Sequence, residues 1–259
     1  MRGPRTMEAP HLPTDGGNGA QIGTFVKTAS SAVVEVLALA GLDFVVADAE
    51  HAPLDRRDLD LIVLAGRASG LPVLVRTPTD ETSELLNALD LGACGIVVPH
   101  VDTFSQAREV VARMRYRNGV RGFSSSPRSA GYGSVGMKKL LAQGDQALVV
   151  CQIESPMAVE QSGQIAAVDG VGALFIGRAD LALSMGFDET NAPEVDLAVD
   201  SVIAACKAQG KIVVVAVGNA SERDRFVARG ADWVVVGSDL SYLRESALAA
   251  CRITPGAER

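Results

Sequence analysis

Along this chain a short apolar, β-branched run gives way to a helical stretch, and the exchange recurs eight times, once in roughly 25 to 35 residues. The strand-like runs are Gln21–Lys27, Phe44–Ala47, Pro72–Arg76, Gly95–Pro99, Ala147–Glu154, Gly172–Leu181, Ile212–Val217 and Trp233–Val236. Helical stretches between and after them include Ala32–Ala40, Ser83–Leu91, Phe104–Arg115, Pro193–Gln209, Ser221–Arg229 and Leu240–Cys251, and Asp55 is placed to cap another. Runs this uniformly apolar are the mark of parallel strands buried on both faces. Eight strand–helix units without a long antiparallel interruption predict a single-domain α/β fold, a closed (β/α)8 TIM barrel over residues 21–252. An open doubly wound sheet is the alternative. It is weakened because no Gly-rich dinucleotide loop follows the first strand, which also argues against a nucleotide cofactor. Residues 1–20, rich in Gly and Pro without a period, read as a flexible arm, and residues 253–259 as a tail.

Composition narrows the partners. Hydrophobic residues make up 47% of the chain but aromatics only 4%, so Val, Ala, Leu and Ile must fill the core. A net charge of −7 argues against nucleic acid or an anionic membrane, both of which need a basic face. Cys94, Cys151, Cys206 and Cys251 are scattered singly, as small buried hydrophobes rather than a disulfide or zinc framework. With no apolar stretch near 18 residues and no signal-peptide centre, the expected location is the cytoplasm.

The polar residues that end the strands form one constellation. Asp48, Glu50 and His51 follow the second strand, Arg76 ends the third, Gln152 and Glu154 end the fifth, and Asp180 follows the sixth. All belong to the C-terminal strand ends, where barrel enzymes place their sites. Gln152 and Glu154, two residues apart, point to one side. Adjacent parallel strands lie about 4.8 Å apart, so Glu154 and Asp180 can converge. Two bare carboxylates held that close repel unless a cation joins them, and oxygen ligands suit Mg²⁺ or Mn²⁺. The alternative is that both cap helices. His51, between carboxylates, is a candidate base; the alternative is a solvated loop histidine. Arg76, closing an apolar run, suits a carboxylate or an enolate oxygen, with a structural ion pair as the alternative. Asp90 by itself reads as the polar face of a helix end. The long Tyr116–Gly136 loop, carrying Arg121, Arg128 and Tyr132, is expected to be a lid or anion-holding flap, or else a mobile insertion. Of the five lysines only Lys27 lies near a C-terminal strand end, and strand six offers none, so a Schiff-base lysine is not expected.

The stretches Gly41–Pro53 with Asp48-Ala-Glu-His51, Pro72-Val-Leu-Val-Arg76, Leu89–Pro99, Arg121-Gly-Phe, Arg128–Gly133, Gln152-Ile-Glu154 and Phe175–Leu181 resemble the HpcH/HpaI aldolase family of metal-dependent pyruvate aldolases. The resemblance implies a (β/α)8 barrel, usually a homohexamer, with Mg²⁺, Mn²⁺ or Co²⁺ held by Glu154 and Asp180. It implies that the metal takes the carboxylate and keto oxygen of pyruvate or a 2-oxo acid, and that Arg76 stabilises the enolate. His51, paired with Asp90 across a subunit or loop boundary, would move protons, and Asp48 would hold the His51 loop. Gln152 and the backbone around Gly177 and Ala179 would line the pyruvate pocket. Arg178 stands where the family usually has Pro, and is expected to add a cation near the mouth that bears on substrate specificity. The implied activity is reversible cleavage of a 4-hydroxy-2-oxo acid, such as a 2-keto-3-deoxy sugar acid or an aromatic-degradation intermediate, to pyruvate and an aldehyde. The alternatives are a citrate-synthase-like or malyl- or citramalyl-CoA-type lyase, and a barrel that binds a 2-oxo acid without turning it over.

Overall fold

A computed structural model describes Pro10, Leu12 and residues 19–251. Eight parallel strands close into a barrel in chain order, β8 pairing back onto β1. They are β1 (Gln21–Val26), β2 (Phe44–Asp48), β3 (Val73–Arg76), β4 (Gly95–Val98), β5 (Leu148–Ile153), β6 (Ala173–Ile176), β7 (Ile212–Val217) and β8 (Trp233–Ser238). The helices are α1 (Ser31–Leu39), α2 (Arg56–Ser69), α3 (Thr82–Leu91), α4 (Phe104–Met114), α5 (Met137–Gly144), α6 (Pro156–Ala166), α7 (Arg178–Ser184), α8 (Pro193–Ala208), α9 (Ala220–Ala228) and α10 (Asp239–Cys251). The expected barrel is the observed one. Most of the expected N-terminal arm, and all of the expected tail, lie outside the described residues. From the arm, Leu12 packs against the lumen cluster, and the Pro10 carbonyl accepts from the Cys94 thiol at 3.3 Å.

Helix entries follow local chemistry. Asp55 and Asp58 form a reciprocal capping box on α2, and Thr103 and Gln106 do the same on α4. Ser155 caps α6 through the Ala158 N–H, with Pro156 in the first turn, where its missing N–H costs nothing.

Two apolar cores flank the strands. The outer one, between strands and helices, is mostly Val, Ile, Leu and Ala. The inner one fills the lumen with Phe44, Val46, Leu74, Val97, Val150, Phe175, Val214, Trp233 and Val235, and Phe25 packs on it. The scarce aromatics concentrate here: Phe44 meets Trp233 at 4.9 Å between ring centroids, and Phe25 meets Phe175 at 6.2 Å. Gly23 makes room for this packing, since a Cβ there would lie 2.6 Å from the Phe44 ring. The lumen is therefore a packed floor rather than a pore.

Side chains alternate along a strand, so the lumen-facing series continues upward by two residues. Phe25 leads to Lys27, Val46 to Asp48, Leu74 to Arg76, and Val150 to Gln152 and then Glu154. Asp48 pairs in register with Arg76, and Val26 with Ala47, which puts Lys27 beside Asp48. Strand period alone thus collects these charged groups above an apolar floor.

Candidate active site

On the β1–β3 side of the mouth the charges form a ladder. Asp48, with no solvent exposure, accepts from Arg76 Nε at 3.0 Å through Oδ1. Its Oδ2 lies 2.9 Å from Arg76 Nη2 and accepts from Lys27 Nζ at 2.6 Å. Burial by itself raises the Asp48 carboxyl. The Arg76 hydrogen bond and charge, then the Lys27 hydrogen bond and the His51 N–H, overcome that and hold it at about 2. The Arg76 guanidinium lies over the Phe25 ring, 4.6 Å from its centroid, so its plane is set by both an aromatic and a carboxylate. His51 donates its backbone N–H to Asp48 Oδ1 at 3.2 Å, while its exposed imidazole lies 3.7 Å from Glu50 Oε2.

Glu50 stands between the two halves of the mouth. Its Oε2 is 3.2 Å from Arg76 Nε, yet that N–H is directed at Asp48, and Oε2 accepts no hydrogen bond. Burial pushes the Glu50 carboxyl up, and the Glu154 charge adds to this against the pull of Arg76, His51 and His100.

On the β5–β6 side, Glu154 is buried and accepts from the His100 backbone N–H at 2.7 Å, with His100 Nδ1 2.8 Å from the same oxygen. Its other oxygen accepts from Gln152 Nε2, the neighbour two residues back, and Gln152 Oε1 is buried without a partner. Gly177 lies against this carboxylate: a Cβ there would come within 2.9 Å of Glu154 Oε2. Gly177 also opens α7, whose first turn carries Asp180. The Asp180 carboxylate makes no hydrogen bond or ion pair with any other described residue. Neither acid is a cap. Ser155 caps the helix after Glu154, and no side chain caps α7.

These residues fit a hard divalent cation. A carboxylate beside a glycine backbone, a second carboxylate without a partner among the described residues, and an orphaned amide oxygen offer oxygen donors only. Among the described residues no three His, Cys, Asp or Glu side chains gather in metal-holding geometry, so the protein would supply two ligands and substrate or water the rest.

Three expectations meet a different geometry. Arg178 does not reach into the mouth. Its side chain is 4% exposed, pairs with Glu222 at 3.1 Å, donates to the Thr190 carbonyl and stacks on Phe226 at 4.5 Å. As the first residue of α7 it turns outward to α9. Asp90, on the last turn of α3, belongs to the end of the unit remote from His51 and pairs with Arg121 at 3.4 Å. A His51–Asp90 pair is therefore not formed within one chain. The long loop leads from α4 to α5 and packs on the outer wall, where Arg128 binds Asp60 at 2.7 Å and the Leu91 carbonyl at 3.1 Å. It does not form a lid on these contacts. The structure adds two groups to the mouth that sequence reasoning left out of the site. One is Lys27, which the alternation after Phe25 signals. The other is His100, held at φ 54°, a conformation with no sequence signal here.

The sequence profile of the HpcH/HpaI aldolase/citrate lyase family matches residues 21–246. A 5-keto-4-deoxy-D-glucarate aldolase from Klebsiella pneumoniae is 37% identical over 229 residues, 87% of this chain and 89% of that protein. The crystal structure of a family member from Burkholderia cenocepacia superposes with a TM-score of 0.87 at 32% identity, covering 92% of this chain and 95% of that one. A citrate synthase structure, 24% identical with a TM-score of 0.83 over 95% and 96% of the two chains, shares the fold. An aldolase-like sequence over almost the whole barrel, with its polar groups gathered at the C-terminal strand ends, places the chain in the HpcH/HpaI aldolase/citrate lyase family, as a carbon–carbon lyase.

Proposed function

We propose that the chain is a divalent-metal-dependent aldolase that reversibly cleaves a 4-hydroxy-2-oxo acid into pyruvate, or a close analogue, and an aldehyde. The observation that carries the reading is a buried carboxylate just after β5 against which Gly177 opens α7, a second carboxylate in the first turn of α7 without a partner among the described residues, and an arginine fixed at the end of β3. Glu154 and Asp180 would hold Mg²⁺, Mn²⁺ or Co²⁺, whose chemistry when bound is to polarise the keto group as a Lewis acid. Arg76 spends Nε and one Nη2 contact on Asp48, so Nη1 remains to donate to the keto oxygen as it gains charge. Its orientation is set beforehand by Asp48 and Phe25, so little rearrangement accompanies the reaction. His51 would act as base or acid, its exposed imidazole 3.7 Å from Glu50 and its loop tethered to Asp48. Gln152 and the backbone around Gly177 and Ala179 would line the pocket for the 2-oxo acid, and Gly177 lies against both Gln152 and Glu154. Asp90 would meet a His51 only from another copy of the chain, which suits a homo-oligomer, and the family resemblance suggests a hexamer.

The relatives named for a glucarate derivative favour sugar-acid substrates over ring-degradation products. Pyruvate release from a 4-hydroxy-2-oxo acid, followed after chelation and again with Mn²⁺ restored, tests the reading. Loss and recovery supports it, and turnover that survives chelation removes the metal assignment.

A further inference from the structure

Asp48 and Arg76 already form a complete two-point ion pair, Nε to Oδ1 and Nη2 to Oδ2. Lys27 adds a second cation to the same carboxylate, while Glu50 lies 3.2 Å from Arg76 on its other side. The lysine is held in place. Its backbone N–H donates to both Asp239 oxygens at 3.0 and 3.1 Å, and the Thr28 N–H to one at 2.9 Å. Its ammonium has three donors. Among the described residues Asp48 is their one hydrogen-bond partner. The Lys27 side chain is 24% exposed, where those of Asp48 and Arg76 are 0% and 6%, so of the three it is the one open to solvent.

Strand position sets what those donors can meet. Three strands lie between β1 and β5 on either side of a closed barrel of eight, so Lys27 stands across the mouth from Glu154. A substrate whose 2-oxo acid end lies between β5–β6 and Arg76 directs its other end toward β1.

We propose that Lys27 is a specificity-determining residue whose ammonium receives a carboxylate at the substrate end remote from the 2-oxo acid group. The proposal rests on the aldolase reading for which end is remote. A lysine suits this role as a flexible, hydrated point charge that can reach a carboxylate without bidentate geometry.

The experiment compares wild type, Lys27→Met and Lys27→Arg on matched pairs that differ only in the far carbon, carboxylate or hydroxymethyl. Binding is measured first, by calorimetry with 2-oxoadipate and 6-hydroxy-2-oxohexanoate, which lack the 4-hydroxyl and so cannot be cleaved. Cleavage is then measured with the corresponding 4-hydroxy-2-oxo acids. Wild type is expected to prefer the diacid at least tenfold, Lys27→Met to lose that preference, and Lys27→Arg to keep part of it. Equal losses on both members of a pair overturn the proposal, because they show that Lys27 acts only through Asp48. Absence of a diacid preference in wild type overturns it as well. If wild type releases no pyruvate yet its binding preference disappears in Lys27→Met, the carboxylate site stands and the aldolase reading falls. Melting curves identify a variant that has failed to fold, and Lys27→Arg, which retains the charge, then decides between the outcomes.

Discussion

The two arcs of the mouth are built from similar residues but are balanced differently. In the β1–β3 arc the buried acid has two basic partners, and Lys27, Asp48 and Arg76 alternate in sign at one level of the sheet. In the β5–β6 arc there are two acids and no cationic lysine or arginine: Glu154 rests on a glutamine, a backbone N–H and a histidine, and Asp180 on no described residue. The first arc is complete, its buried acid fully paired with Lys27 and Arg76. The second is incomplete and carries surplus negative charge. A bidentate anion that also binds a cation satisfies both at once, which is what a 2-oxo acid with its metal would do.

The comparison breaks most sharply at Asp180. Asp180→Asn is expected to lower kcat/KM by about 10³-fold or more, as the loss of electrostatic stabilisation at a reacting oxygen does. Its melting temperature should stay close to wild type, because the carboxylate has no partner among the described residues to lose. A large drop in melting temperature would make Asp180 structural. On the opposite arc, Arg76→Lys is expected to lose about 10²-fold in kcat, since a point charge cannot bind Asp48 at two points and still offer a donor to substrate. Unchanged kinetics would leave Arg76 a structural ion pair.

The completed arc should also show in acid stability. The Asp48 carboxyl is depressed from 3.8 to about 2, so it stabilises the fold in its charged form. That contribution, about 2 kcal/mol, is fully present above pH 4 and is lost as pH falls through 3.8 toward 2. The gap in unfolding free energy between wild type and Asp48→Asn should therefore narrow over that window, and a gap independent of pH would contradict it. The smallest effect on turnover belongs to Arg178. Arg178→Met should leave kcat/KM within twofold while costing about 1.5–3 kcal/mol of stability, as loss of a charged hydrogen bond does. A change in substrate preference would return Arg178 to the mouth.

Periodicity explains why much of this was legible beforehand. Eight apolar runs imply the barrel, and the two-residue alternation that fills the lumen also projects Arg76, Gln152 and Glu154 above it. The same alternation points to Lys27 after Phe25, but a lysine at a strand end invites only the Schiff-base question unless its register against Asp48 is known. Arg178 shows the opposite difficulty. The first residue of a helix can turn toward the strand ends or away, and its partner Glu222 is 44 residues distant. Asp90 and Arg121 pair on the outer wall for the same kind of reason, through a contact between α3 and a loop that no local pattern encodes. The loop's distance from the site follows from topology, because a connection that leads from a helix to the next strand starts at the face opposite the site.

The most direct test of the divided mouth is Mn²⁺ binding, followed by electron paramagnetic resonance without any substrate. One Mn²⁺ per chain is expected in wild type, strongly weakened in Glu154→Gln and Asp180→Asn, and retained in Lys27→Met and Arg76→Lys. Binding that survives both acid substitutions, or that fails equally in the two basic ones, would contradict the assignment of the cation to the β5–β6 arc.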